Sequence, residues 1–171
     1  MANEKVKKVG LLLVTHDKEG NLVAVLQRRG QYNHEKDWAP ESYPGGCQLT
    51  SAGKVGDDED PRDAIWREGK EELGIDIVAV LFSESNQRRL ISGDDTGEKY
   101  TFAILVSRST LDLIRWHPAT GGLVFVDAES VSKIQNLKDF DKATGVTDLN
   151  TVAMFSDEKE VVRKALEIDW F

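Results

Sequence analysis

The first part of the chain carries two runs of apolar and β-branched residues, "VKKVGLLLVTHD" and "KEGNLVAVLQRRG". A polar stretch over residues 17–21 separates them, and its Gly20-Asn21 pair is turn chemistry, so the pattern predicts a β-hairpin. "QYNHEKDWAPESYPGG" follows, polar and aromatic, with two prolines, a glycine pair and no periodicity. It predicts a surface loop of the length that usually has a function. From Pro61 to Leu73 the apolar positions take up helical spacing. Asp60 suits the N-cap, Pro61 the first helical position, and Gly74 the left-handed position that ends a helix. Beyond it, "IDIVAVLFSES", "RRLISG", "YTFAILVSR" and "GLVFVDA" predict strands. "AESVSKIQNL" predicts a short helix, and "SDEKEVVRKALEI" a longer one opened by a capping-box-like Ser156. This order predicts an α/β (α+β) fold, a mixed β-sheet flanked by helices, and not a strictly alternating doubly wound one.

A length of 171 residues, 40% of them hydrophobic, suits one compact domain over 1–171. No basic and apolar leader is present, and no apolar run reaches the length of a membrane span, so a soluble, unprocessed protein is expected. Cys47 is the only cysteine, which excludes an internal disulfide and a cysteine-based zinc cluster. It is expected to be a small buried residue, and the cytoplasm is the expected compartment. A net charge of −8 removes the basic footprint of a nucleic-acid binder. A polyanionic partner would need another attraction, such as a divalent cation held by carboxylates.

That possibility bears on "GKVGDDEDPRDAIWREGKEELGI", which crowds Glu68, Glu71 and Glu72 into one helical turn. At about 100° per residue, Ala64, Glu68, Glu71 and Glu72 fall on one sector, and Ile65, Trp66, Gly69 and Leu73 on the next. Like charges three and four residues apart destabilise a helix. Either these acids form a solvated face, or they hold a hard cation such as Mg²⁺ or Mn²⁺ that cancels the repulsion. Ala64, small among the acids, would let a ligand come close.

The setting of these acids bears on the choice. Gly53, five residues, Glu59, seven residues, then Arg67-Glu68-Gly69-Lys70-Glu71-Glu72-Leu73-Gly74-Ile75 resembles the signature of the Nudix hydrolase family, with all invariant positions present. The resemblance implies an α/β/α sandwich and hydrolysis, with Mg²⁺ or Mn²⁺, of a nucleoside diphosphate linked to another moiety X. It implies metal ligands at Glu68, Glu71 and Glu72, the Gly53 carbonyl as a further oxygen, and Arg67 as the residue that orients the acids. Glu59 is either a supporting acid or part of the charge at the helix start. Gly69 stands where the family has a bulky aliphatic residue, and the Trp66 ring is expected to fill that space.

The resemblance implies a general base within the signature, where Glu68 and Glu71 stand, or on a later loop, where Glu98 leads over Asp94 and Asp95. Arg28 and Arg29 are candidates for a substrate phosphate, and Trp38 or Tyr43 for stacking on a nucleobase. His16, His34 and His117 have no metal-ligand spacing and receive no role. Isopentenyl diphosphate isomerases share the scaffold, but they carry Cys-Gly-His where this chain has Ala52-Gly53-Lys54, which leaves no acid for the isomerisation. A nucleotide-binding Nudix sensor without turnover is the remaining alternative. A small-molecule substrate is expected, with no nucleic-acid duplex and no membrane; Nudix enzymes are often homodimers.

Overall fold

A computed structural model describes residues 7–74, 87–92 and 98–170. The predicted hairpin is formed by β1 (Lys8–His16) and β2 (Leu22–Arg29), antiparallel from Leu13↔Val25 to His16↔Leu22. Asp17 closes its turn, Oδ1 accepting from the amides of Glu19 and Asn21 at 2.9 and 2.8 Å. The expected loop contains a small flap: β3 (Tyr32–Asn33) and β4 (Ala39–Pro40) pair around a 3-10 turn, His34–Lys36. The chain continues through β5 (Cys47–Gln48), β6 (Ser51–Lys54), α1 (Pro61–Leu73), β7 (Gln87–Ser92), β8 (Lys99–Leu105) and the short α2 (Arg108–Leu111). β9 (Thr120–Asp127), β10 (Gln135–Asn136), β11 (Ala153–Met154) and α3 (Ser156–Glu167) complete it.

Strand order in the main sheet is β5-β2-β1-β8-β7, with β6 also on β1 and β9 on β2. β1 and β8 run parallel and the other pairs antiparallel, which gives the mixed sheet the sequence predicts. Alternation along β1 sends Leu11 and Leu13 to the face of Leu73 and Ile104, and Leu12 and Val14 to the face of Val161, Val162 and Ala165. The sheet therefore lies between α1 and α3.

β1 changes partner midway. Its first half, Lys8 to Leu11, registers with β6, and its second half, from Leu13, with β2. Thr50 fills the fork: its buried Oγ1 accepts from the Leu13 amide at 2.9 Å and donates to the Val25 carbonyl at 2.6 Å. Thr50→Val keeps the shape and strands both backbone groups. We expect it to cost about 1–3 kcal/mol in urea unfolding. The fork separates β6 from β2 and carries Gly53 to the strand against which α1 packs.

Several expectations are corrected. "AESVSKIQNL" forms a 3-10 turn, Ser130–Lys133, and then β10, which pairs with β11. Its buried residues are Val131, Ile134 and Leu137. Ser156 lies inside α3 and Phe155 takes the N-cap without a side-chain bond. Ala64 is fully buried with Val9 and Ile65, not open to a ligand. Trp66 turns outward, with the Lys70 ammonium 5.5 Å from its ring centroid, while Gly69 is buried. Cys47 is buried, as expected. "IDIVAVLFSES", Asp94 and Asp95 lie outside the described residues. Among the described residues no helix is long and apolar enough to cross a membrane.

Candidate active site

The ends of α1 fix which of its side chains face the sheet. Asp60 Oδ1 accepts from the Arg62 amide at 2.8 Å, and Pro61 sets the first turn. At the other end Gly74 has φ 94° and ψ 152°, a conformation that glycine alone adopts readily and not the expected left-handed one. With the helix so placed, Ala64, Ile65, Glu68, Gly69 and Leu73 are buried. Glu68 thus turns inward with the apolar stripe.

Arg67 organises the acids. Its Nε and Nη2 donate to the two Glu59 oxygens at 2.9 and 3.0 Å, Nη1 donates to Glu68 Oε1 at 2.6 Å, and Nη2 reaches the Lys54 carbonyl at 2.8 Å. Glu59 is held at a pKa of about 2 by Arg67 and by the Gly56 amide. These two acids push the Arg67 guanidinium still further above its usual range. For Glu68, only 6% exposed, burial raises the pKa despite the Arg67 charge. Burial also pushes Glu72 up to about 8, against hydrogen bonds from Ser51 and Ala52 and with the nearby charges of Glu68 and Glu35 adding to the rise. Among the described residues, Oε2 of Glu68 and Oε2 of Glu72 are buried without a hydrogen-bond partner.

Carboxylate oxygens of Glu35, Glu68 and Glu72 lie within 4.8 Å of one another. Glu35 comes from the flap, Glu68 and Glu72 from α1. Gly53 stands so close to Glu68 that a Cβ there would collide with its carboxyl group. Glu35 and Glu72 line a cavity of about 450 Å³ whose wall also includes Arg29, His34, Lys54 and His117. The His34 and His117 rings stack at 3.8 Å between centroids, and His117 Nδ1 accepts from the Ala119 amide at 3.1 Å. An adjoining cavity of about 570 Å³ is lined by Tyr32, Trp38 and Thr147 and shares Arg28 and Arg29 with the first.

A family model described as the NUDIX domain matches residues 5–144. The chain belongs to the Nudix family. Among solved structures it is similar to DR0079 from Deinococcus radiodurans, at 16% identity and a TM-score of 0.56, over 92% of this chain and 81% of that one. It is also similar to the NUDIX domain of Shewanella oneidensis NrtR complexed with ADP ribose, at 13% identity and a TM-score of 0.50, over 96% and 88%. At such identities the likeness is one of fold. No curated protein matches the sequence significantly.

Within the Nudix signature, Glu68 and Glu72 come together and Glu71 does not join them. The Glu71 side chain is 58% exposed, with Oε1 3.9 Å from Arg67 Nη1. The Arg28 guanidinium, buried, donates to the carbonyls of Gly45, Leu149 and Thr151. Arg29 reaches the Ser42 carbonyl at 3.2 Å and lies over the Phe155 ring. Tyr43 packs edge-on against Phe155 at 5.7 Å, whereas Trp38 is 55% exposed at the second cavity. Glu98 is paired with Lys7 at 2.5 Å and lines neither cavity. Glu35, His34 and His117 carry no signal in the sequence, because their spacing to the Nudix box is set by the fold alone. The loop around Glu35 is nonetheless marked in the sequence by its length and composition.

Proposed function

We propose that this Nudix chain hydrolyses the pyrophosphate linkage of a nucleoside diphosphate joined to a second moiety, a nucleotide or nucleotide-sugar pyrophosphatase using Mg²⁺ or Mn²⁺. The observation that carries the reading is the pair of buried, unpartnered carboxylate oxygens on Glu68 and Glu72. An oxygen-only donor set of this kind fits a hard divalent cation. Glu68 and Glu72 would hold it, with the Gly53 carbonyl as a further oxygen. A cation bound there would supply neutralisation of phosphate charge and a more acidic water.

The chain's own residues do the rest. Arg67 holds Glu68 in place through Oε1, which leaves Oε2 to a ligand. Glu71, at the exposed edge of the same turn, can take a proton from water; Glu98, tied to Lys7, is the weaker candidate. The cavities, about 450 and 570 Å³, are of the size that takes a small organic ligand. Trp38 offers a face for a nucleobase, and Arg28 stiffens the shared wall.

A panel of nucleoside diphosphate derivatives with Mg²⁺ and Mn²⁺ tests this, comparing wild type with Glu71→Gln and Glu72→Gln. Phosphate-containing products from the wild type and their loss in both variants are expected. Tight nucleotide binding without turnover, unchanged in Glu72→Gln, would instead establish a sensor.

Protons report on the same site. With the Glu72 pKa at about 8, the metal-free carboxyl is mainly protonated at pH 7, and cation binding needs the carboxylate. We expect titration calorimetry at pH 7, in buffers of different ionisation enthalpy, to show release of about one proton per site. Apparent affinity should rise with pH until about 8.

A further inference from the structure

We infer that Glu35 is also a ligand of this cation, so that metal binding fastens the flap to α1. The inference rests on the metal site proposed above and adds to it a residue from outside the Nudix signature. Glu35 sits on the 3-10 turn of the flap, and its carboxylate reaches within 4.8 Å of both Glu68 and Glu72. Three carboxylates this close repel one another unless protonated or bridged by a cation. Among the described residues no lysine or arginine pairs with Glu35. Glu68, 6% exposed, leaves Oε2 without a partner, and Glu72 does the same. Glu35 is a third oxygen source in the same cluster.

The flap is built to hold Glu35 there. Asn33 Oδ1 accepts from the Glu35 amide at 3.0 Å, and the Trp38 amide closes back on the Asn33 carbonyl at 3.0 Å. Asp37 and Trp38, neither of them glycine, take φ of 51° and 60° to make that return. Such left-handed conformations are costly for these residues and persist where the surroundings impose them. His34, next to Glu35, stacks on His117 at 3.8 Å and ties the flap to the segment before β9. The flap thus contributes both Glu35 and His34 to the wall of the first cavity. A cation shared by Glu35, Glu68 and Glu72 would link metal occupancy to the position of that wall, and so to the shape of the substrate cavity.

Mn²⁺ alone is the probe. Its affinity is measured by titration calorimetry for wild type, Glu35→Gln and Glu72→Gln, and hydrogen exchange of the flap amides, residues 32–40, is followed with and without the metal. In the wild type Mn²⁺ should slow exchange across the flap. Glu35→Gln should weaken Mn²⁺ at least about tenfold, since losing even an outer partner of a metal ligand costs that much, and should abolish the slowing. Unchanged Mn²⁺ affinity in Glu35→Gln, no slowing in the wild type, or slowing that survives the substitution would each overturn the inference. In those cases loss of binding in Glu72→Gln leaves the metal site standing. If Glu72→Gln also binds Mn²⁺ as the wild type does, the metal site itself is misassigned.

Discussion

Glu72→Gln should lower turnover by about a thousandfold while leaving the metal-free protein as stable as the wild type, or more so. The two effects have one cause. In the folded protein burial raises the Glu72 pKa from the ordinary 4.5 to about 8. An acid whose pKa rises on folding binds more protons folded than unfolded between those values. Its share of stability is therefore fully present below pH 4.5 and is lost as pH climbs through 8. Glutamine keeps the shape and cannot ionise, so it removes that loss along with a metal ligand. Thermal melts at pH 6 and pH 9, with and without Mn²⁺, read the result. The metal-free wild type should melt lower at pH 9 than the variant does, and Mn²⁺ should raise the midpoint only in the wild type. A variant that melts lower than the wild type at both pH values would mean that Glu72 serves packing and not metal.

Gly53→Ala carries the second large effect. The added Cβ would run into the Glu68 carboxyl group, and neither side has room to yield. β6 is held at Gly53 by its register with Val9, and Glu68 is held by Arg67. Overpacking of this kind costs about 1–3 kcal/mol, and displacement of Glu68 should lower turnover by about a hundredfold. Gly56→Ala is the control. There the nearest atom is Glu59 Oε2 at 3.3 Å, a contact that a shift of a few tenths of an ångström relieves, so a near-normal protein is expected. Urea unfolding and initial rates on the three proteins separate these outcomes; a Gly53→Ala enzyme with normal rates would show that Glu68 can move without consequence.

The sequence makes α1 legible to the residue because its limits are written in local chemistry. Asp60 caps, Pro61 starts and Gly74 stops, and each does so with its own backbone or side chain. The β1–β2 hairpin is readable for the same reason, its turn being closed by Asp17 within the turn itself. β3 to β6 escape notice because two to four residues cannot display a period. The helical wheel also misplaces Ala64 and Glu68, since it equates polarity with exposure. Glu68 is buried because Gly53 leaves space for its carboxyl group and Arg67 supplies its counter-charge. Arg28 shows the converse: a charged residue at the end of a strand suggests a phosphate, yet its guanidinium binds loop carbonyls that only the folded chain brings near. Glu35 joins Glu68 and Glu72 through tertiary folding, which no local spacing records.

The parallel pairing of β1 with β8 sets the order in which such a molecule can assemble. β1 can meet β2 almost as soon as both exist, and β6 soon after, but its other edge matches Lys8 to Lys99, a partner about 90 residues downstream. Until that segment arrives, the most apolar strand of the sheet presents an unpaired edge to any other chain. Refolding yield should therefore fall with protein concentration more steeply than the stability of the finished fold would suggest.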